Sequence, residues 1–229
     1  MQMRGEDMAR IQLPARPSVI IFDFDGVILD SAEIKAQAFA EIYSDHGEQW
    51  TEAILDYQRE HGGISRREKF RYFDQEIFGR APTEERLAFL STQFSSIVLE
   101  KILVAALIPG ARELLEAASG HSRLFVVSGT PQDELVEIVR QRALDTYFEA
   151  VIGAPTTKLE AFSLILSKGP PRETMLAVGD SSTECHAARE LGIPFLGIRG
   201  GPCPTAFPDN IVTLPDLVDA KKLLGFDVS

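Results

Sequence analysis

The stretch Ile20-Ile21-Phe22-Asp23-Phe24-Asp25-Gly26 does most to constrain the fold. An apolar run, Val19 to Phe22, delivers two carboxylates separated by a single residue, and then a glycine. A strand covered on both faces is continuously apolar rather than alternating, so the run predicts a buried strand of a parallel sheet. Its acids then lie at the C-terminal end of that strand, the edge of an open α/β sheet where ligands bind. Gly26 suits a sharp turn in which the backbone approaches whatever the acids hold. Taken alone, Asp before Gly fits a plain turn equally well.

The rest of the chain supplies the context. Asp30-Ser31-Ala32-Glu33 has the spacing of a capping box, with Asp30 as N-cap, ahead of a helix that Gly47 closes. From there to about Leu107 only helices are predicted: roughly Thr51 to Glu60, one from Ser65 to near Gly79, and a long one capped by Thr83. After Pro109-Gly110 the pattern changes to strands alternating with helices of about ten residues, the signature of a doubly wound parallel sheet. The strands are expected at Leu124–Val127, Ala150–Ile152, Met175–Val178 and Phe195–Ile198, with a last one from Ile211. The predicted architecture is therefore an α/β, Rossmann-like core, residues 18–30 and 107–229, carrying an all-helical insertion over 31–106. Residues 1–17 are expected to form a frayed N-terminal tail.

Four features fall at or just beyond the ends of predicted strands: Asp23/Asp25, Ser128, Lys158, and Asp180 with Glu184. Four carboxylates in one place are costly unless something positive joins them. A divalent cation does so, and ligands that are all oxygen, without His or Cys, favour Mg²⁺. Each feature also has a bland reading. Ser128 would suit a turn start, Lys158 a solvated helix start, and Glu184 an exposed first-turn acid favoured by the helix dipole.

Composition narrows the partners. A formal net charge of −11 argues against nucleic acid, which needs a concentrated basic face. The longest uninterrupted apolar run, Ile102 to Ile108, is far short of a membrane span, which takes about 20 residues. The two cysteines, Cys185 and Cys203, form no CxxC pair and are read as free thiols. Met1–Pro17 lacks the apolar core of a secretory signal, so a cytoplasmic protein is expected.

The ordered set Asp23-x-Asp25-Gly26-Val27, Ser128, Lys158 and Gly179-Asp180-Ser181-x-x-Glu184 resembles the four motifs of the haloacid dehalogenase-like hydrolases. The likeness runs from about residue 18 to 200. The helical insertion looks like the cap of the phosphoglycolate phosphatase and β-phosphoglucomutase branch. This resemblance implies a Mg²⁺-dependent phosphatase of a small phosphorylated metabolite. In it Asp23 is the nucleophile that forms an aspartyl-phosphate, and Asp25 is the general acid and then base, a role that calls for a raised pKa. Ser128 and Lys158 would hold the phosphoryl group, with the Gly26 and Gly129 backbone beside them. Asp23, Asp25 through its carbonyl, Asp180 and Glu184 would serve the metal.

Within the insertion, Gly63-Ile64-Ser65-Arg66 resembles the stretch by which such caps reach a substrate anion, which puts Arg66 in the binding set; a planar guanidinium suits that task. Two positions depart from the branch: Glu184 stands where Asp is usual, and Leu159 where Pro is common. Glu184, one methylene longer, would bind metal through a water or stand behind the ligands. The expected protein is a monomer or weak dimer without a nucleic-acid or membrane partner. Alternatives on the same fold are a phosphomutase, which usually carries a Lys soon after the second-motif Ser, and a catalytically idle binding module.

Overall fold

The computed structural model describes residues 12–200 and 205–227. Cys203 and most of the N-terminal stretch lie outside them; Cys185 is a buried free thiol. The end of that stretch is tied down, since Arg16 N–H donates to Leu224 O at 2.8 Å and Ser122 Oγ donates to Pro17 O at 2.5 Å.

Among the described residues six strands form one sheet: β1 (Val19–Phe22), β2 (Arg123–Pro131), β3 (Ala150–Ala154), β4 (Met175–Gly179), β5 (Phe195–Ile198) and β6 (Val212–Leu214). Their order is β3-β2-β1-β4-β5-β6, and every pairing is parallel. β1 is central and fully buried because its side chains serve both faces. Ile20 and Phe22 join a core with Leu114, Leu115, Leu135 and Ile138, while Val19 and Ile21 join another with Phe162, Ile165 and Ala188. The chain turns from one half of the sheet to the other beside β1, so the ends of β1, β2 and β4 frame the switch-point crevice.

The helices are α1 (Ala32–Ile42), α2 (Glu48–Glu60), α3 (Arg66–Tyr72), α4 (Glu84–Val104), α5 (Ala111–Ser119), α6 (Gln132–Gln141), α7 (Lys158–Lys168), α8 (Ser182–Leu191) and α9 (Ala220–Leu223). The first four lie between β1 and β2, where the sequence predicts helices alone. Phe39, Tyr43, Phe70, Phe73 and Phe94 pack edge-on or tilted at their centre. Asp74, wholly buried in a π-helical turn (Phe73–Ile77), accepts from Arg86 and from Tyr43 Oη. The segment leaves and rejoins the core through two adjacent linkers, as Asp30 N–H donates to Ala106 O and Ile108 N–H to Ile28 O.

Two local expectations are corrected. The N-cap of α1 is Ser31 rather than Asp30, and its hydroxyl caps nothing because it donates to Asp25 Oδ1 at 2.6 Å. α1 ends at Ile42, five residues before Gly47. Among the described residues α4 alone has the length and hydropathy of a membrane-crossing helix, yet Leu87, Leu90, Phe94, Val98 and Ile102 line a buried stripe on it. That pattern is one of a helix packed on a protein core.

Candidate active site

Asp23 directly follows β1, and the Phe24–Leu29 turn carries Asp25 and Gly26 back across the sheet edge. Gly26 adopts φ +81°, and a Cβ there would overlap the Asp180 carboxylate, so only glycine permits this approach. β2 supplies Ser128 and Thr130, α7 begins with Lys158, and β4 leads into Asp180 and α8. One pocket is lined by Asp23, Asp25, Ser128, Gly129 and Asp180 from the core, and by Lys35, Gln58, Arg66 and Lys69 from the helical segment.

Lys158, 4% exposed, is fixed by three oxygens. Its Nζ donates to Asp23 Oδ1 at 2.5 Å and Val127 O at 2.5 Å, and lies 2.9 Å from Glu184 Oε1. The bland reading of a solvated lysine therefore does not hold. Burial opposes its charge, but Asp23 and Glu184 outweigh that and raise its pKa, so it stays protonated. Asp23 is pushed up to about 7, first by burial, against Lys158, and further by Glu184 and Asp25. Both shifts are upward, which keeps Lys158 charged, and the 2.5 Å contact with Asp23 is that of a charged pair. Asp180 is raised well above its ordinary value by burial, then by Asp23 and Glu184.

Glu184 is fully buried, contrary to an exposed first-turn acid. Its Oε2 closes a capping box with Ser181, accepting from the Ser181 backbone at 3.1 Å and from its hydroxyl. Oε1 faces Lys158 without hydrogen-bond geometry and is an orphaned buried acceptor. The longer side chain thus serves the helix start and the site together. Asp23, Asp180 and Glu184 each offer an oxygen within 4.8 Å of the others. An all-carboxylate set, a buried oxygen without a hydrogen-bond partner, and the upward shifts of Asp23 and Asp180 from burial and then neighbouring acids fit a hard divalent cation.

Asp25 departs from expectation. Burial raises its pKa, but the Lys35 ammonium and hydrogen bonds from Lys35 and Ser31 outweigh it, and the net shift is downward. The acid role calls for the opposite direction. Lys35, on α1, is the missed residue: its Nζ donates to Asp25 Oδ2 at 2.5 Å and to Thr130 Oγ1 at 2.6 Å. Ser128 Oγ lies 3.3 Å from the same carboxylate oxygen and 3.1 Å from Thr130 Oγ1. A lysine on a polar helix face gives no sequence signal of such a partner.

Arg66 lines the pocket, but its charge is already engaged. Its guanidinium meets Glu134 on α6 in a two-point pair, at 2.5 and 3.1 Å, donates to Ser95 Oγ at 2.7 Å and rests over the Phe94 ring. Lys69, 2% exposed, donates to Gln58 Oε1 at 2.5 Å and Gly62 O at 3.0 Å.

The family model described as haloacid dehalogenase-like hydrolase matches residues 20–198, and the chain belongs to that family. Among curated proteins it is similar to a phosphorylated carbohydrates phosphatase of Thermotoga maritima, with 27% identity over 76% of this chain and 81% of that protein. It is also similar to protein CbbY of Rhodobacter capsulatus, with 28% identity over 76% and 82%. Among solved structures, a variant of CbbY from Rhodobacter sphaeroides in complex with xylulose-(1,5)-bisphosphate superposes with a TM-score of 0.73 at 19% identity, covering 93% of this chain and 100% of that one. That last likeness speaks to fold alone.

Proposed function

We propose that this hydrolase is a Mg²⁺-dependent phosphatase that removes the phosphoryl group from a small phosphorylated metabolite, a phosphorylated carbohydrate, through an aspartyl-phosphate on Asp23. The observation that carries the reading is the pairing of Asp23 with buried Lys158 at the parallel-sheet edge, in one pocket with Asp25, Ser128 and Asp180. Asp23 attacks phosphorus, and Lys158 neutralises the charge that gathers on the transferring group. Ser128 and the backbone of Gly26 and Gly129 orient the phosphoryl oxygens. Asp25 gives a proton to the leaving oxygen and later takes one from the attacking water. Asp23, Asp180 and the Asp25 carbonyl would hold Mg²⁺, with Glu184 beside them, and the ion would offset negative charge on the phosphoryl group. The segment over 31–106 serves as a cap that excludes water and selects the substrate. A monomer or weak dimer in the cytoplasm is consistent with this activity.

The test is phosphate release from a panel of sugar phosphates and short-chain phosphate esters, with Mg²⁺ and with EDTA, for wild type and Asp23→Asn. Release that requires Mg²⁺ and is lost in the variant supports the reading. Release that survives Asp23→Asn overturns it.

A further inference from the structure

Two lysines divide the acid cluster. Lys158, from the core, takes Asp23, and Lys35, from the first helix of the inserted segment, takes Asp25. The family resemblance gives Lys158 a role and leaves Lys35 without one. We propose that Lys35 is a positioning residue for Asp25: it fixes the carboxylate for proton exchange and stabilises the charge Asp25 acquires when its proton leaves. The inference rests on the phosphatase reading above.

The geometry is over-determined. Asp25 Oδ1 accepts from Ser31 Oγ at 2.6 Å, and Oδ2 accepts from Lys35 Nζ at 2.5 Å. Lys35 in turn is anchored by Thr130 Oγ1 at 2.6 Å, and the Thr130 backbone N–H donates to Ser128 Oγ at 3.1 Å. The lysine side chain is 11% exposed, so its position is set by packing and by these two acceptors. A long, flexible ammonium held at both an acid and a hydroxyl has little freedom left, and its charge acts in a partly dry site where it counts for more.

In the first half-reaction a bond forms from Asp23 to phosphorus and the bond from phosphorus to the leaving oxygen breaks. The leaving oxygen takes the proton carried by Asp25, which becomes the carboxylate. That product is the form Lys35 holds here. Negative charge thus develops next to a preorganised cation, the arrangement that lowers a proton-transfer barrier. In the second half-reaction the same carboxylate takes a proton from the water that attacks phosphorus, which frees Asp23 and inorganic phosphate.

The consequence depends on the leaving group. An alkoxide needs its proton during bond cleavage, whereas a nitrophenolate leaves nearly as well without one. We would measure kcat/KM, which reports steps up to formation of the phosphoenzyme, for an alkyl phosphate and for p-nitrophenyl phosphate with Mg²⁺, in wild type, Lys35→Gln and Lys35→Arg. The ratio of the two values is independent of how much enzyme is folded. Lys35→Gln should lower the alkyl-to-nitrophenyl ratio by on the order of tenfold or more, and Lys35→Arg should restore part of it. An unchanged ratio, with both esters affected equally or not at all, overturns the inference and leaves the phosphatase reading standing. If wild type releases phosphate from neither these esters nor the wider panel, the phosphatase reading fails and takes this inference with it.

Discussion

Arg66 on α3 and Glu134 on α6, 68 residues apart in sequence, meet in a two-point ion pair that joins the inserted helices to the core. Both are largely withdrawn from water, with side-chain exposures of 5% and 14%. Breaking such a pair from one side strands a buried charge. Glu134→Gln should therefore lower the unfolding free energy by on the order of 3 kcal/mol, measured by urea denaturation, and Arg66→Met with Glu134→Leu should recover much of the loss. Equal losses in the single and double variants would show that charge pairing is not what the contact supplies.

A second point of attachment is backbone packing. A Cβ on Gly63 would overlap Glu184 Oε1 and come within 2.7 Å of Thr183 Cβ and 2.9 Å of Ser181 Oγ. A Cβ on Gly129 would meet Ile64 O at 2.8 Å. Gly63→Ala should wedge the inserted segment off the core and lower kcat/KM by about tenfold or more, since small displacements of positioning groups are expensive in rate. The melting temperature should fall as well, because overpacking of this kind costs about 1–3 kcal/mol. Unchanged kinetics in Gly63→Ala and in Gly129→Ala would show that this close approach is dispensable.

Lys69 gives a pH signature. Burial, and then the charge of Lys35, lower its pKa from the ordinary 10.5 to about 7. Between those values the unfolded chain holds a proton that the folded chain does not, so this residue's contribution to stability rises with pH and is flat below 7. Unfolding titrations in EDTA at pH 7 to 10 should show wild type gaining on Lys69→Met by up to about 1.4 kcal/mol per pH unit. A constant difference across that range would contradict a depressed lysine.

Phe94 ties the inserted core together: its ring is 4.4 Å from that of Phe39 and 4.6 Å beneath the Arg66 guanidinium, and it is 1% exposed. Phe94→Ala should cost about 3–5 kcal/mol, the usual range for emptying a buried aromatic site. Denaturation with a loss below about 1 kcal/mol would mean that the surrounding rings collapse into the space.

The sheet and its edge were readable because their signals are local. Val19–Phe22 is apolar throughout since it faces two cores, and Asp23, Lys158 and Asp180 each stand at a strand or helix boundary, whereas β2 runs past its expected end at Val127 and carries Ser128 inside it. What was not readable depends on pairs distant in the chain. Lys35 looks like an ordinary polar-face residue until Asp25 and Thr130 are brought to it, and Arg66, singled out for a substrate anion, gives no sign in sequence of its partner Glu134. Lys35 also reverses the direction expected for the Asp25 pKa, which no inspection of Asp25 and its neighbours in sequence would reveal. The Asp30/Glu33 spacing fitted a capping box, but Ser31 took the N-cap position while spending its hydroxyl on Asp25.

The two sources of positive charge bear on the order in which ligands arrive. Lys35, Arg66 and Lys69 all belong to the inserted helices, whereas the core edge by itself sets Asp23, Asp25, Asp180 and Glu184 beside Lys158, which pairs with Asp23 and Glu184. Were those helices swung away, the exposed edge would attract cations and repel a phosphate dianion. The polarity would turn less hostile to the anion only as the helices came down with the Lys35 ammonium. On the proposed function, such a site would load its metal in the open state and admit its ester with closure, so the metal-free protein should bind inorganic phosphate more weakly than the Mg²⁺-loaded one.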